Sequence, residues 1–341
     1  MFPHHLRVAS LSAFVGLLLS PTGALAAAPS FPDVPNDHPA HEAVEYLKAK
    51  SILSGYPDGT FRPDEIVNRA AAVKVIVSSQ DGLPNLNDRE ETAFNDIPTD
   101  AWYLPYVEWA RVQLEIIDGP PKKTAFEGGR AVTRAEFLKM FLLAEGADPT
   151  TAFSEINGPL SADVTNPKDW FYPYMRYAIV SSMTQVSSKG NLNPNMDLDR
   201  GSMAVLMYRY FLYEDGKRVK DLLANADTDG GRVISWLEKA SPEPATQAAT
   251  RATLAARGAL QSSPDEPIVK GAVKITEALE LIVQAYRTAA SGKYDDVIAK
   301  CKKAWDLGAA AEEFSPTLAP QAEQVQLIST SLADQARKLK E

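Results

Sequence analysis

A pattern that returns three times at one spacing constrains this chain more than any other feature. Arg69 follows Asn68, Arg134 follows Thr133 and Arg200 follows Asp199, so the arginines stand 65 and 66 residues apart. The first copy opens on Phe31-Pro32-Asp33-Val34 and runs through Ala43-Val44-Glu45-Tyr46-Leu47. It then turns at Gly55-Tyr56-Pro57-Asp58-Gly59-Thr60-Phe61-Arg62-Pro63 and reaches Asn68-Arg69-Ala70-Ala71. The second has Phe94-Asn95-Asp96-Ile97, Tyr106-Val107-Glu108-Trp109-Ala110, Asp118-Gly119 with Phe126, and Thr133-Arg134-Ala135-Glu136. The third is more worn: Asp163-Val164, Tyr174-Met175-Arg176-Tyr177-Ala178, Asn193-Pro194 and Asp199-Arg200-Gly201-Ser202. A fixed period of this length marks a supersecondary unit that cannot bury its apolar face alone, so its copies must pack together. The repeats occupy residues 31–84, 94–148 and 160–213.

Each copy reads as helix, loop, helix, which makes the fold class mainly α. In the first copy Ala43, Val44, Leu47 and Ile52 share one helical face, with Lys48 and Lys50 turned away. Pro57 and Gly59 supply turn chemistry in the loop. Thr133 followed by Glu136 fits a capping box, and Asn68 and Asp199 are favoured N-cap residues at the matching places. The caps leave the arginines unexplained. A cation in the first helical turn faces the positive end of the helix dipole, which costs a few tenths of a kcal/mol. Two readings stay open. Each Arg meets an external anion beside the free N–H groups of a helix start, or each pairs with an Asp of a neighbouring repeat, such as Asp33, Asp96 or Asp163.

The Phe-x-Asp-Val opening, the Gly-Tyr-x-Asp-Gly-Thr-Phe-x-Pro loop and the Thr-Arg-Ala-Glu motif resemble S-layer homology domains, over roughly residues 31–212. The resemblance implies a pseudo-threefold helical trimer whose grooves bind a secondary cell-wall polysaccharide, often through a pyruvylated sugar. By that likeness Arg134, and with it Arg69 and Arg200, contacts the glycan's acidic group. Gly55 and Gly119 line the groove, and Trp102 and Trp170 match the aromatic of a family segment. Those two rings can stack on a sugar or pack between repeats. Departures are concentrated at the two ends. His38-Pro39 stands where the family has His-Trp, Ala71 replaces the motif's acid, and the third copy lacks the Gly-Tyr-x-Asp-Gly loop. The helix-start motif is complete around Arg134, partial at Arg69 and degenerate at Arg200.

Residues 1–26 read as a secretory signal peptide. A short basic start with Arg7 precedes an apolar run from Val8 to Leu19 and the small-residue segment Ala24-Leu25-Ala26. The run is shorter than the ~20 residues needed to span a bilayer. Export is therefore expected, to the cell wall or outer envelope. Cleavage would leave a net charge near −10, which disfavours nucleic acid as a partner. Cys301 is the only cysteine, so no internal disulfide can form.

The second half changes character. Within 214–240, the run Asp227 to Glu238 resembles an EF-hand loop, with acids at its first, third and last positions. Asp227, Asp229 and Glu238 are thus candidate calcium ligands. Arg232 at the position that needs glycine argues instead for a helix-connecting turn with a capping Asp. Ser241 to Gln247 is Pro-rich and linker-like. Beyond it, 241–341 is an Ala-rich helical region, divided into about four helices by breaks at Pro264–Pro267, Ser291-Gly292 and Ser315-Pro316. It is expected to form a small bundle that serves an unidentified protein partner. No Ser–His–Asp set, nucleophilic cysteine or phosphate loop is visible, and His38 and His41 are the only histidines beyond the leader. The expected function is non-catalytic anchoring in the cell envelope by a wall polysaccharide or peptidoglycan-linked glycan. The alternatives are an assembly protein whose repeats bind no glycan and a wall-associated hydrolase.

Overall fold

The computed structural model describes residues 28–85, 92–118 and 122–341; the expected leader and Gly119 lie outside the described residues. The fold is mainly α. Six helices belong to the repeats: α1 (His41–Ala49), α2 (Arg69–Ser78), α3 (Leu104–Val112), α4 (Arg134–Ala144), α5 (Tyr172–Val180) and α6 (Arg200–Glu214). Five follow: α7 (Val219–Glu238), α8 (Pro242–Ser262), α9 (Pro267–Ala289), α10 (Tyr294–Phe314) and α11 (Ala319–Lys340). Among the described residues β structure is confined to isolated bridges.

The three repeats share one local construction. The first helix of each ends just before a residue in the left-handed region, namely Ser51 (φ 59°), Glu115 (φ 55°) and Ser182 (φ 55°). The loop that follows is held by the aspartate of the opening segment. Asp33 accepts from the amides of Phe61 and Arg62, Asp96 from Phe126 and Glu127, and Asp163 from Leu192 and Asn193, at 2.6–3.1 Å. Those amides flank a second set of left-handed residues, Arg62, Glu127 and Asn193. A carboxylate taking two adjacent N–H groups stabilises a backbone that costs about 1 kcal/mol or more in a non-glycine residue. The third copy keeps this device although its loop motif has gone.

Packing joins the copies in a ring. Val67 N–H donates to the Leu198 carbonyl at 2.8 Å, Leu198 N–H to that of Val132 at 2.9 Å, and Val132 N–H to that of Val67 at 3.0 Å. All three residues are buried. From this closed triangle α2, α4 and α6 run into the core, where Phe137 and Phe141 are fully buried and Phe141 meets Tyr210 edge-on at 5.2 Å. At the far ends of these helices Ser79 Oγ and Gln80 Nε2 donate to Glu145 at 2.9 and 2.7 Å. Burial pushes the Glu145 carboxyl above its ordinary value; those two bonds oppose the shift and nearby Glu214 adds to it.

The helical tail is continuous with the repeats. Its long helices pack in sequence order, and α8 lies against α5. A Cβ at Gly258 would stand 2.0 Å from the Val180 carbonyl oxygen, so glycine is what permits this approach. Arg251 and Asp229, 6% and 7% exposed, form a bidentate pair at 2.7 and 3.0 Å. Arg251 also donates to the Leu160 carbonyl of the third repeat at 2.7 Å.

Two expectations fail here. The EF-hand-like run is no loop: Asp227, Asp229 and Glu238 all lie in α7, and Asp229 is engaged by Arg251 and Arg232. No group of three acidic, His or Cys side chains suited to a metal occurs among the described residues. The cause is tertiary. Leu222, Ala226, Val233, Ile234 and Leu237 form one buried helical stripe straight through Gly230-Gly231, and its packing outweighs the roughly 1 kcal/mol per glycine that disfavours helix. Nor is 241–247 a linker. Pro242 begins α8, where its missing N–H costs nothing. The expected breaks farther on do separate α8, α9, α10 and α11. Among the described residues no helix is long and apolar enough to cross a membrane.

Two predictions follow from this packing. Arg251→Met leaves the Asp229 carboxylate buried with only the half-exposed Arg232, and should cost roughly 3 kcal/mol in equilibrium denaturation. Glu145→Gln keeps an acceptor for Ser79 but removes a charge that the folded state disfavours. Because the folded carboxyl titrates above its unfolded value, its contribution to wild-type stability is present in acid and lost as pH rises. The variant should therefore melt higher than wild type at pH 8 and equal it near pH 4.

Candidate functional site

The helix starts that carry the three arginines are built across repeat boundaries. Arg69 N–H donates to the Arg130 carbonyl, Arg134 N–H to Met196 and Arg200 N–H to Glu65, at 2.8–3.0 Å. The next amides, of Ala70, Ala135 and Gly201, donate to Gly128, Pro194 and Pro63. The third amide in each helix is taken by the cap side chain: Ala71 by Asn68, Glu136 by Thr133 and Ser202 by Asp199. The caps thus stand as the sequence indicates, and the Thr133–Glu136 capping box is complete. The free N–H groups expected beside each Arg are absent, because the neighbouring repeat's loop already satisfies them. An anion at these sites can be met by side chains only.

The guanidinium groups differ. All three are half-buried, and desolvation lowers each below the ordinary arginine value. Among the described residues none forms an ion pair. Asp33, Asp96 and Asp163 are committed to loop amides in their own repeats, so the arginine–aspartate pairing between copies does not occur. Arg69 lies over the Phe126 ring at 5.2 Å. Arg134 reaches Thr184 Oγ1 at 3.2 Å, and its buried Nε has no partner. Arg200 is tied down, donating to the Phe61 carbonyl at 2.8 Å and the Ser54 carbonyl at 3.1 Å, with Phe61 and Tyr56 beneath it.

The cyclic offset redistributes the motifs. Arg134, from the complete Thr-Arg-Ala-Glu, faces Thr184 of the worn third repeat. The complete Gly-Tyr-Pro-Asp-Gly loop of the first repeat faces Arg200, from the worn Asp-Arg-Gly-Ser. Gly55 thus sits beside Arg200, between Ser54 and Tyr56. Arg134 lines a groove of about 390 Å³ to which all three repeats contribute, including His38, Thr184, Gln185 and Arg209. Arg209 is a second cation in this groove, its guanidinium lowered by burial and by nearby Arg218, and it donates to the Met183 carbonyl at 3.1 Å.

Trp102 and Trp170 lie outside that groove. They are 52% and 51% exposed, more than a packing role between repeats requires. A lysine of the preceding repeat sits over each ring, Lys74 at 5.6 Å and Lys139 at 5.9 Å. Sequence reasoning missed these lysines, although each stands five residues after its Arg. It also missed Arg209, for which no repeat signal exists.

Comparison with known proteins agrees with this geometry. Residues 30–73 and 93–138 match the model of the S-layer homology domain. The chain therefore carries S-layer homology sequence in its first two repeats. It is 27% identical over 212 residues to a surface-layer 125 kDa protein of Lysinibacillus sphaericus, covering 59% of this chain and 17% of that protein. It is 28% identical over 193 residues to an S-layer protein of Bacillus anthracis, covering 57% and 21%. An uncharacterized cell wall amidase of Bacillus anthracis is 31% identical over 156 residues, covering 44% and 28%. The chain spans less than a third of the length of each of these curated relatives. These similarities indicate a cell-surface or cell-wall location.

Gly55 provides a direct check on the loop. A Cβ there would lie 2.3 Å from Phe31 Cε1 and 2.7 Å from the Thr60 carbonyl oxygen. Gly55→Ala should cost about 1–3 kcal/mol in thermal or chemical unfolding, because the fully buried Phe61 below leaves Phe31 little room to move.

Proposed function

We propose that the chain is a non-catalytic protein of the cell envelope, held non-covalently to the wall by an acidic secondary cell-wall polysaccharide. The third helix–loop–helix unit acts as a third S-layer homology repeat that closes the ring. One observation carries this reading: half-buried Arg134 lines a groove between the repeats without an ion-pair partner, and Arg69 stands unpaired at the matching boundary. A desolvated cation left unpaired is costly, and a carboxylate from outside, such as that of a pyruvylated sugar, would meet the guanidinium in two parallel bonds. Arg134 and Arg69 are the glycan-binding arginines. Arg200, already bonded to two carbonyls, serves the ring, and Gly55 shapes the loop around it. Trp102 and Trp170, each with its lysine, offer exposed faces for sugar stacking. The tail from α7 onward extends the third repeat and carries no catalytic role.

The full exported chain should co-sediment with wall sacculi that retain their polysaccharide, and release should increase with salt. Arg134→Ala should weaken retention about tenfold, as the loss of one charge-assisted bidentate contact predicts, and Arg200→Ala should weaken it far less. Equal retention of the Arg134 variant would remove the arginine-centred mechanism. Failure of wild type to sediment would favour assembly without glycan. Solubilisation of wall material by the purified chain would favour a hydrolase.

A further inference from the structure

The tail carries a partly open cavity that the wall-anchoring reading does not use. It measures about 400 Å³ and lies between α7, α9 and α11, closed at one end by Thr317 and Leu318. That falls within the roughly 300–1,000 Å³ typical of small-molecule sites. Its walls are mainly aliphatic, with Leu223 and Ile234 from α7, Ile275 and Leu279 from α9, and Val325 from α11. Asp227 is the single charged residue in the lining, and no basic side chain accompanies it. Among the described residues Asp227 has no ion-pair partner; its one contact is the Gln321 side-chain amide, which donates to Oδ1 at 3.2 Å.

At the polar end Asp227 and Gln321 present acceptors, and the Gln324 carboxamide lines the cavity beside them. Gln321 turns its N–H group to Asp227, which leaves its carbonyl oxygen Oε1 buried without a donor. Thr276, also in the lining, has its hydroxyl committed to the Val273 carbonyl at 3.0 Å. Burial raises the Asp227 carboxyl above its ordinary value, because desolvation disfavours the charged form, and the Gln321 bond opposes this. An apolar chamber with one unpaired carboxylate and one idle amide oxygen complements a ligand with an apolar body and several N–H donors at one end. An ammonium group meets that need, whereas a hydroxyl offers one hydrogen and no charge.

We propose that this cavity is a binding site for a small organic amine, an ammonium head on an alkyl or aryl body, with Asp227 as the counter-ion and α7, α9 and α11 as the apolar sleeve. The site is separate from the arginine grooves, and its occupancy is independent of wall binding. Isothermal titration of the full exported chain with 2-phenylethylammonium, and in parallel with 2-phenylethanol, tests it. The expected result is saturable binding of the ammonium at one site, at least tenfold tighter than the alcohol, and a loss of at least tenfold with Asp227→Asn. The comparison of the two ligands on wild type needs no variant, so it decides the matter even if Asp227→Asn fails to fold. Equal affinity for amine and alcohol, undiminished binding by a folded Asp227→Asn, or no saturable heat at millimolar amine would each overturn the proposal.

Discussion

Three backbone hydrogen bonds close on themselves at Val67, Val132 and Leu198, and the other features of the repeat half are placed by that closure. Each residue both donates to and accepts from a different copy, so no repeat can complete its hydrogen bonding alone. In a buried setting an unsatisfied amide or carbonyl costs about 1–3 kcal/mol, which makes the ring an all-or-none arrangement. Because the three residues directly precede the helix caps, closure also sets where α2, α4 and α6 begin. The arginines then emerge at the boundary between copies.

That placement explains how a net-negative chain can hold half-buried arginines that form no ion pair. The helix-start amides are consumed by neighbouring carbonyls and by the caps, and the opening-segment aspartates are consumed by left-handed loop residues. The acids that could have neutralised the arginines are thereby spent on the fold. Arg200 resolves the resulting deficit internally, through two carbonyls and two aromatic faces. Arg134 does not: its groove adds Arg209, and of the two aspartates that line it with them, Asp199 is taken by the Ser202 amide that it caps and neither forms an ion pair with Arg134. Three helix starts of one local construction thus differ in how their guanidinium groups are partnered while keeping one backbone.

The tail depends on the same economy of buried polar groups. Asp229 and Arg251 meet in two bonds, and a further N–H of Arg251 donates to the Leu160 carbonyl, which ties α7 and α8 to the third repeat. Gly258 lets α8 reach the Val180 carbonyl closely enough to continue the repeat core into the tail. The third repeat therefore has one face given to its sister copies and another to the tail, and its worn loop motif coincides with that double duty.

Period, caps and apolar spacing are local properties, and they were legible without coordinates. The 65- and 66-residue spacing, the N-caps at Asn68, Thr133 and Asp199, the Thr133–Glu136 box and the breaks between α8 and α11 all read directly from neighbouring residues. What required tertiary structure was every assignment of a partner. A helix-start amide reads as free until a carbonyl 61 residues away, Arg130 for Arg69, is seen to accept from it. Asp229 reads as a metal ligand until Arg251 is seen 22 residues on. Gly230-Gly231 reads as a loop until Leu279 is found 3.2 Å from where a Cβ would stand. Local sequence determines which conformations each segment prefers. Which of its polar groups remain available to a ligand is decided by contacts between distant segments, and only the folded chain brings those together.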